Sequence, residues 1–144
     1  MSKADEAMAI KTQGFSCSQA VFATFAEDFA LDQAIALRIS DPFGGGLANT
    51  GGTCGAVTGA TMAIGLKCGR SDAADSDAKA RTVEFTRELM QRFEDQHGSL
   101  LCKELLGCKI DTPEKYAAAR ESGVPAATCP ALVRSACDVL EEIL

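Results

Sequence analysis

Thr53-Cys54-Gly55-Ala56-Val57-Thr58-Gly59-Ala60-Thr61-Met62-Ala63-Ile64-Gly65-Leu66 is the stretch whose reading decides the fold. Gly55, Gly59 and Ala63 fall four residues apart, so a helix from Cys54 to Leu66 presents a face of nearly bare backbone. A second helix can pack closely on such a face, and an alanine-rich chain has the partners to do so. The run is thirteen residues long and interrupted by Gly and Thr. It falls short of the roughly 20 apolar residues needed to cross a bilayer, and no membrane insertion is expected.

Upstream, Gly44-Gly45-Gly46-Leu47-Ala48-Asn49-Thr50-Gly51-Gly52-Thr53 places five glycines in ten residues, a loop that tolerates unusual backbone angles. Gly46 to Gly51 has the G-x-x-x-x-G skeleton of a phosphate loop. Gly52 stands where that motif requires Lys, however, and no strand pattern precedes it, so nucleotide hydrolysis is not expected. The glycines are read as packing devices, with a small anion on bare amides as the alternative. Before the loop, Phe15, Phe22, Phe25 and Phe29 recur at near-helical spacing. Ser16 with Gln19 three residues on is a capping box, which predicts a helix from about Ser16. A short helix over Asp32 to Ile39 should end at Asp41-Pro42-Phe43.

Downstream, Lys67 to Asp72 breaks the pattern. A long amphipathic helix is expected from about Ala73 to His97, with Phe85, Leu89 and Phe93 on one face and Gly98 as terminator. Ser99 offers a cap for Leu100 to Leu106, and Thr112-Pro113-Glu114 has the order of a helix start, for a helix ending near Gly123. Pro130 to Leu144 carries a stripe of Val133, Ala136, Cys137, Leu140 and Leu144, which predicts a C-terminal helix on the core. No period-two strand is legible. The expectation is an all-α, compact, single-domain multi-helix bundle with a Gly-rich loop, spanning residues 1–144.

Composition agrees. With 144 residues, 47% hydrophobic and 24% charged, the chain suits one core. No Trp, one Tyr and seven Phe disfavour a β-sandwich. Fourteen Lys and Arg against twenty Asp and Glu leave a net charge of −6, which argues against nucleic acid and anionic membranes as partners. The acidic start, Met1-Ser2-Lys3-Ala4-Asp5-Glu6, lacks the basic and apolar pattern of a signal peptide, and a cytoplasmic location is expected.

In a reducing compartment, seven cysteines argue for metal or redox chemistry before structural disulfides. Cys17 follows Ser16, Cys54 follows Thr53, Cys129 follows Thr128 and Cys102 lies three after Ser99. Each is predicted within the first turn of its own helix, where free amides and the positive dipole end lower a thiol pKa. Four such starts converging would form an electropositive pocket for an iron–sulfur cluster, another thiophilic metal, or reactive thiolates. Cys137 reads as a buried small hydrophobe, and Cys68 and Cys108 as structural residues at helix ends. No C-x-x-C or C-x-x-C-H occurs, so any four-cysteine site must be assembled by the fold. His97 reads as a helix C-terminal residue with a favourable dipole interaction.

Gly14-Phe15-Ser16-Cys17-Ser18-Gln19-Ala20, Phe43 with its three following glycines, Thr53-Cys54-Gly55-Ala56-Val57-Thr58-Gly59-Ala60, Leu101-Cys102-Lys103-Glu104-Leu105-Leu106-Gly107 and Thr128-Cys129-Pro130 together resemble the C_GCAxxG_C_C family, described as redox-active. The resemblance runs from about residue 14 to the end. It implies that the four defining cysteines are Cys17, Cys54, Cys102 and Cys129, and that the C-G-A-x-x-G element is Cys54, Gly55, Ala56 and Gly59. Gly55 and Gly59 then become cofactor-binding candidates. A similar domain occurs in split-Soret cytochromes beside haem and an inferred iron–sulfur centre, but this sequence has no haem-attachment motif.

Three readings follow. One is a [2Fe–2S] cluster, or otherwise zinc, on the four cysteines, for electron transfer to an unidentified partner or for sensing. Another is a metal-free thiol–disulfide protein in which a low-pKa thiolate such as Cys54 attacks. The last is a helical interaction or scaffold protein with incidental cysteines, whose Gly and Ala face could serve a homodimer.

Overall fold

The computed structural model describes all 144 residues and contains eight α-helices and no strand. α1 (Lys3–Lys11) lies outside every helix expected above. Its buried face is Ala4, Ala7 and Ile10, two of them alanines that contribute little to a hydrophobic pattern. Packing and caps hold it: Ser2 accepts from the Asp5 amide at 3.1 Å, and Arg134 reaches Asp5 from the last helix at 3.0 Å.

α2 (Cys17–Ala26) is the central element, with every residue after Cys17 buried. Its capping box is formed in both directions: Ser16 N–H donates to Gln19 Oε1 at 3.0 Å, and Gln19 N–H to Ser16 Oγ at 3.4 Å. A short 3₁₀ turn, Glu27–Phe29, leads to α3 (Gln33–Ser40), which Asp32 caps, and a second 3₁₀ turn, Asp41–Phe43, contains the proline that ends it.

α4 (Gly55–Cys68) packs its bare face on α2. A Cβ at Gly59 would sit 2.7 Å from the Ser18 carbonyl oxygen, closer than any side chain can approach backbone. The small-residue face is therefore spent on a contact inside the molecule. α5 (Ser76–His97) begins at an Asp75 cap and stops at Gly98, whose φ is 86°. α6 (Cys102–Leu106) is short, and α7 (Pro113–Glu121) is capped by Thr112.

α8 (Val124–Ile143) starts well before Pro130. Proline in a helix interior removes one hydrogen bond and ordinarily stops the helix. Here Pro125 near the helix start is favourable, and the burial of Cys129, Leu132 and Val133 carries the helix through Pro130. The principal core comprises 24 residues, ten of them alanine, and it draws on α1, α2, α3, α4, α5 and α8. A satellite of Cys102, Leu106, Ile110, Ala119 and Cys129 lies under α6 and α7. No helix is long and apolar enough to cross a membrane.

The loop before α4 has an unusual backbone. Five successive residues, Gly45, Gly46, Leu47, Ala48 and Asn49, have positive φ between 51° and 74°. Three of them carry side chains, and for such residues the left-handed region costs roughly 1–2 kcal/mol each. The turn is held by its own hydrogen bonds, among them Ala48 N–H to Pro42 O at 2.8 Å and Gly52 N–H to Gly46 O at 2.8 Å. Each amide from Leu47 to Gly52 donates to a carbonyl of the loop or of the turn before it. None of these six is left bare, while the Gly45 and Gly46 amides make no such bond. The glycines serve close approach, since a Cβ on Gly46 would fall 2.4 Å from the Gly52 nitrogen.

Candidate functional site

The left-handed loop, the start of α2, the end of α1 and the edges of α6, α7 and α8 enclose a cleft of about 650 Å³. Cys17, Cys54, Cys102 and Cys129 all line it; Cys68, Cys108 and Cys137 do not. Cys137 is fully buried in the principal core, and the Cys108 thiol donates to the Leu106 carbonyl at 3.3 Å. Gly55 also lines the cleft, whereas Gly59 faces the α2 backbone.

The cysteines arrive by different routes. Cys17 is the first residue of α2 and Cys102 the first of α6, while Cys54 is the N-cap of α4. Cys129, expected in a first turn, is instead the sixth residue of α8, because that helix passes through Pro130. Cys54 and Cys102 are tied together by an isolated antiparallel bridge between Thr53 and Leu101: Cys54 N–H donates to Leu100 O and Cys102 N–H to Gly52 O, both at 2.7 Å. Ser99, the expected cap of α6, sits just before it, accepting from the Leu101 amide at 3.0 Å and donating to Glu104. Cys17 and Cys129 are neighbours as well: Cys17 packs against the satellite cluster that contains Cys129, and each thiol perturbs the ionisation of the other.

Ionisation follows burial and pairing, not helix position. Burial pushes Cys54 up to about 11, overriding the Ala56 and Val57 amides at the head of α4, and its sulfur makes no capping hydrogen bond. Burial, then the charges of Cys54 and Cys129, pushes Cys102 up to about 12. Cys17 is raised by the neighbouring Cys129 thiol and then by burial. Cys129 alone is lowered, chiefly by the neighbouring Cys17 thiol and secondarily by the Lys11 ammonium, against its own burial. Of the four thiols expected to be lowered at helix starts, only Cys129 is shifted down, and Cys54 is shifted up. His97 is the last residue of α5, as expected; burial lowers its pKa, and its ring nitrogen Nε2 shares a 2.8 Å hydrogen bond with Ser135 Oγ.

No three of the His, Cys, Asp and Glu side chains stand close enough to share one metal ion. The four cysteines face one cleft, Cys54 and Cys102 joined through their backbones and Cys17 packed beside the cluster that holds Cys129. Beside them are residues that the sequence reading did not single out: Lys11, whose Nζ donates to Phe15 O at 3.3 Å, and Tyr116 and Arg120, one turn apart on α7. Burial and then the neighbouring thiolates push the Tyr116 phenol up to about 12, so it stays protonated.

Residues 15–143 match the family model described as “Putative redox-active protein (C_GCAxxG_C_C)”. The chain belongs to the C_GCAxxG_C_C family. No curated protein and no solved structure matches it. The C_GCAxxG_C_C match covers the elements that carry all four cleft cysteines together with Tyr116 and Arg120, while Lys11, on α1, precedes it.

Proposed function

We propose that the cleft is a dithiol–disulfide redox centre in which Cys17 and Cys129 are the reacting pair. The observation that carries this reading is the packing of Cys17, from α2, beside the cluster that holds Cys129, from α8, with both cysteines lining one open cleft. In the forward half-reaction the Cys129 thiolate attacks one sulfur of an acceptor disulfide. That S–S bond breaks and one thiolate leaves. Cys17 then gives up its proton and attacks the Cys129 sulfur of the mixed disulfide, so a Cys17–Cys129 bond forms and the second thiolate departs. The acceptor gains two electrons and the protein loses two. Cys54 and Cys102, which burial keeps protonated at neutral pH, line the same cleft.

A second reading rests on the four cysteines that line one cleft. An all-thiol donor set suits soft metals and iron–sulfur clusters. Tetrahedral zinc would need all four sulfurs on one ion, which these positions do not provide. A [2Fe–2S] cluster needs two thiolates on each iron, and Cys17 with Cys129 and Cys54 with Cys102 would hold it in pairs. Such a cluster would supply one-electron transfer.

One preparation separates these readings. Protein purified without oxygen is assayed for iron, acid-labile sulfide and free thiols, then titrated with a disulfide oxidant. A metal-free protein that loses two thiols, mapped to Cys17 and Cys129, supports the dithiol centre. Iron and sulfide in equal amounts, lost on Cys54→Ser, would replace it with the cluster.

A further inference from the structure

We propose that the cleft recognises a small carboxylate-bearing disulfide, held by Lys11 and Arg120 with one sulfur presented to Cys129. The inference deepens the dithiol reading and rests on it. The chain as a whole carries a charge of −6, so its overall field repels anions. The cleft departs from that sign: its charged lining is Lys11 and Arg120 against one carboxylate, Asp41, so it is positive until Cys129 ionises and balanced afterwards. Lys11 is steadied by its bond to the Phe15 carbonyl and lies close enough to Cys17 and Cys129 to favour their thiolates. Arg120 is exposed and enters none of the ion pairs of the fold. It shares a face of α7 with Tyr116, whose phenol stays protonated beside Cys102 and Cys129.

Volume supports the same conclusion. About 650 Å³ is far more than two sulfurs need and lies inside the range of small-molecule sites. A ligand of that size that reacts at Cys129 places its remaining atoms toward the α1 and α7 edges, where the two cations are. Carboxylates suit both, most of all the planar guanidinium. Turnover would require a dithiol reductant to return the Cys17–Cys129 disulfide to two thiols.

The test uses the reduced full-length protein in stopped flow with three oxidants: oxidised glutathione, the neutral bis(2-hydroxyethyl) disulfide and the cationic cystamine. The measured quantity is the ratio of rate constants between oxidants, compared between the native chain and Arg120 variants so that intrinsic reactivities cancel. The anionic-to-neutral ratio should fall about tenfold in Arg120→Glu and less in Arg120→Gln, and should shrink with added salt in the native chain. The cystamine-to-neutral ratio should rise in Arg120→Glu. Ratios identical in all three proteins would overturn the substrate class and leave the dithiol centre standing. Failure of every oxidant to produce a Cys17–Cys129 disulfide, checked by peptide mapping, would overturn both.

Discussion

At the scale of single residues, the proposed chemistry turns on Cys129, whose thiol the neighbouring Cys17 and then the Lys11 ammonium hold below the ordinary value of about 8.5. The pH–rate profile for iodoacetamide alkylation of Cys129 should therefore rise below that value in the native chain. In Cys17→Ala, which removes the neighbouring thiol, the profile should move to higher pH, and an unmoved profile would show that Cys17 does not activate Cys129. His97 supplies a second pH effect, on stability. Its folded pKa lies below the unfolded value, so the unfolded chain binds the extra proton more readily. Stability should be complete above about pH 6.5, the ordinary histidine value, and fall as the pH drops through it. Urea melts between pH 7.5 and 5 should show that decline, and His97→Gln, which keeps a partner for Ser135 but cannot titrate, should flatten it.

At the scale of elements, local chemistry and long-range contact contributed unequally to what could be read in advance. The Ser16–Gln19 box, Thr112 before Pro113, and Gly98 after His97 are self-contained signals, and each marks a real helix boundary. The α1 helix escaped because alanines carry almost no periodic signal and its stability comes from contact with α2 and α8. With it went Lys11, the cation nearest the reacting pair. Pro130 misled in the opposite direction, since a proline that ordinarily breaks a helix lies inside α8. The four cysteines were legible as a set because the family motif names them, but which of them lie together depends on the Thr53–Leu101 bridge and on α8 passing beside α2. The α2–α4 contact was legible from small residues alone, and it makes a paired prediction. Gly59→Ala drives a Cβ to 2.7 Å from the Ser18 carbonyl and should cost roughly 1–3 kcal/mol. Gly65→Ala, on the same helix with nothing within 4 Å, should instead stabilise by roughly 0.5–1 kcal/mol. Thermal melts of the two variants should move in opposite directions.

At the scale of the whole molecule, the reacting pair joins the beginning of the fold to its end. A Cys17–Cys129 bond would close a loop containing α2 through the first turns of α8, most of the chain. Cross-linking a loop of that length removes conformational freedom from the unfolded state, worth about 4 kcal/mol where the native geometry is not strained. The oxidised protein should therefore unfold at a higher urea concentration than the reduced one, with the difference abolished in Cys17→Ala. Equal midpoints would mean that the bond strains the native fold as much as it restricts the unfolded chain. Redox state would then act on local chemistry alone.

The turn at Gly45 to Asn49 has a consequence of another kind. Backbone that runs left-handed for five residues is the mirror image of what an L-amino-acid chain prefers, and Leu47 and Ala48 occupy it at a steric cost. For that short span the ordinary rules of substitution reverse. A semisynthetic chain with D-alanine at position 48 should melt at a higher temperature than the natural one, although the same exchange in any of the eight helices would break it. Beside its cysteine cleft the protein carries a small patch of the opposite chirality, enforced on its own residues by the hydrogen bonds around them.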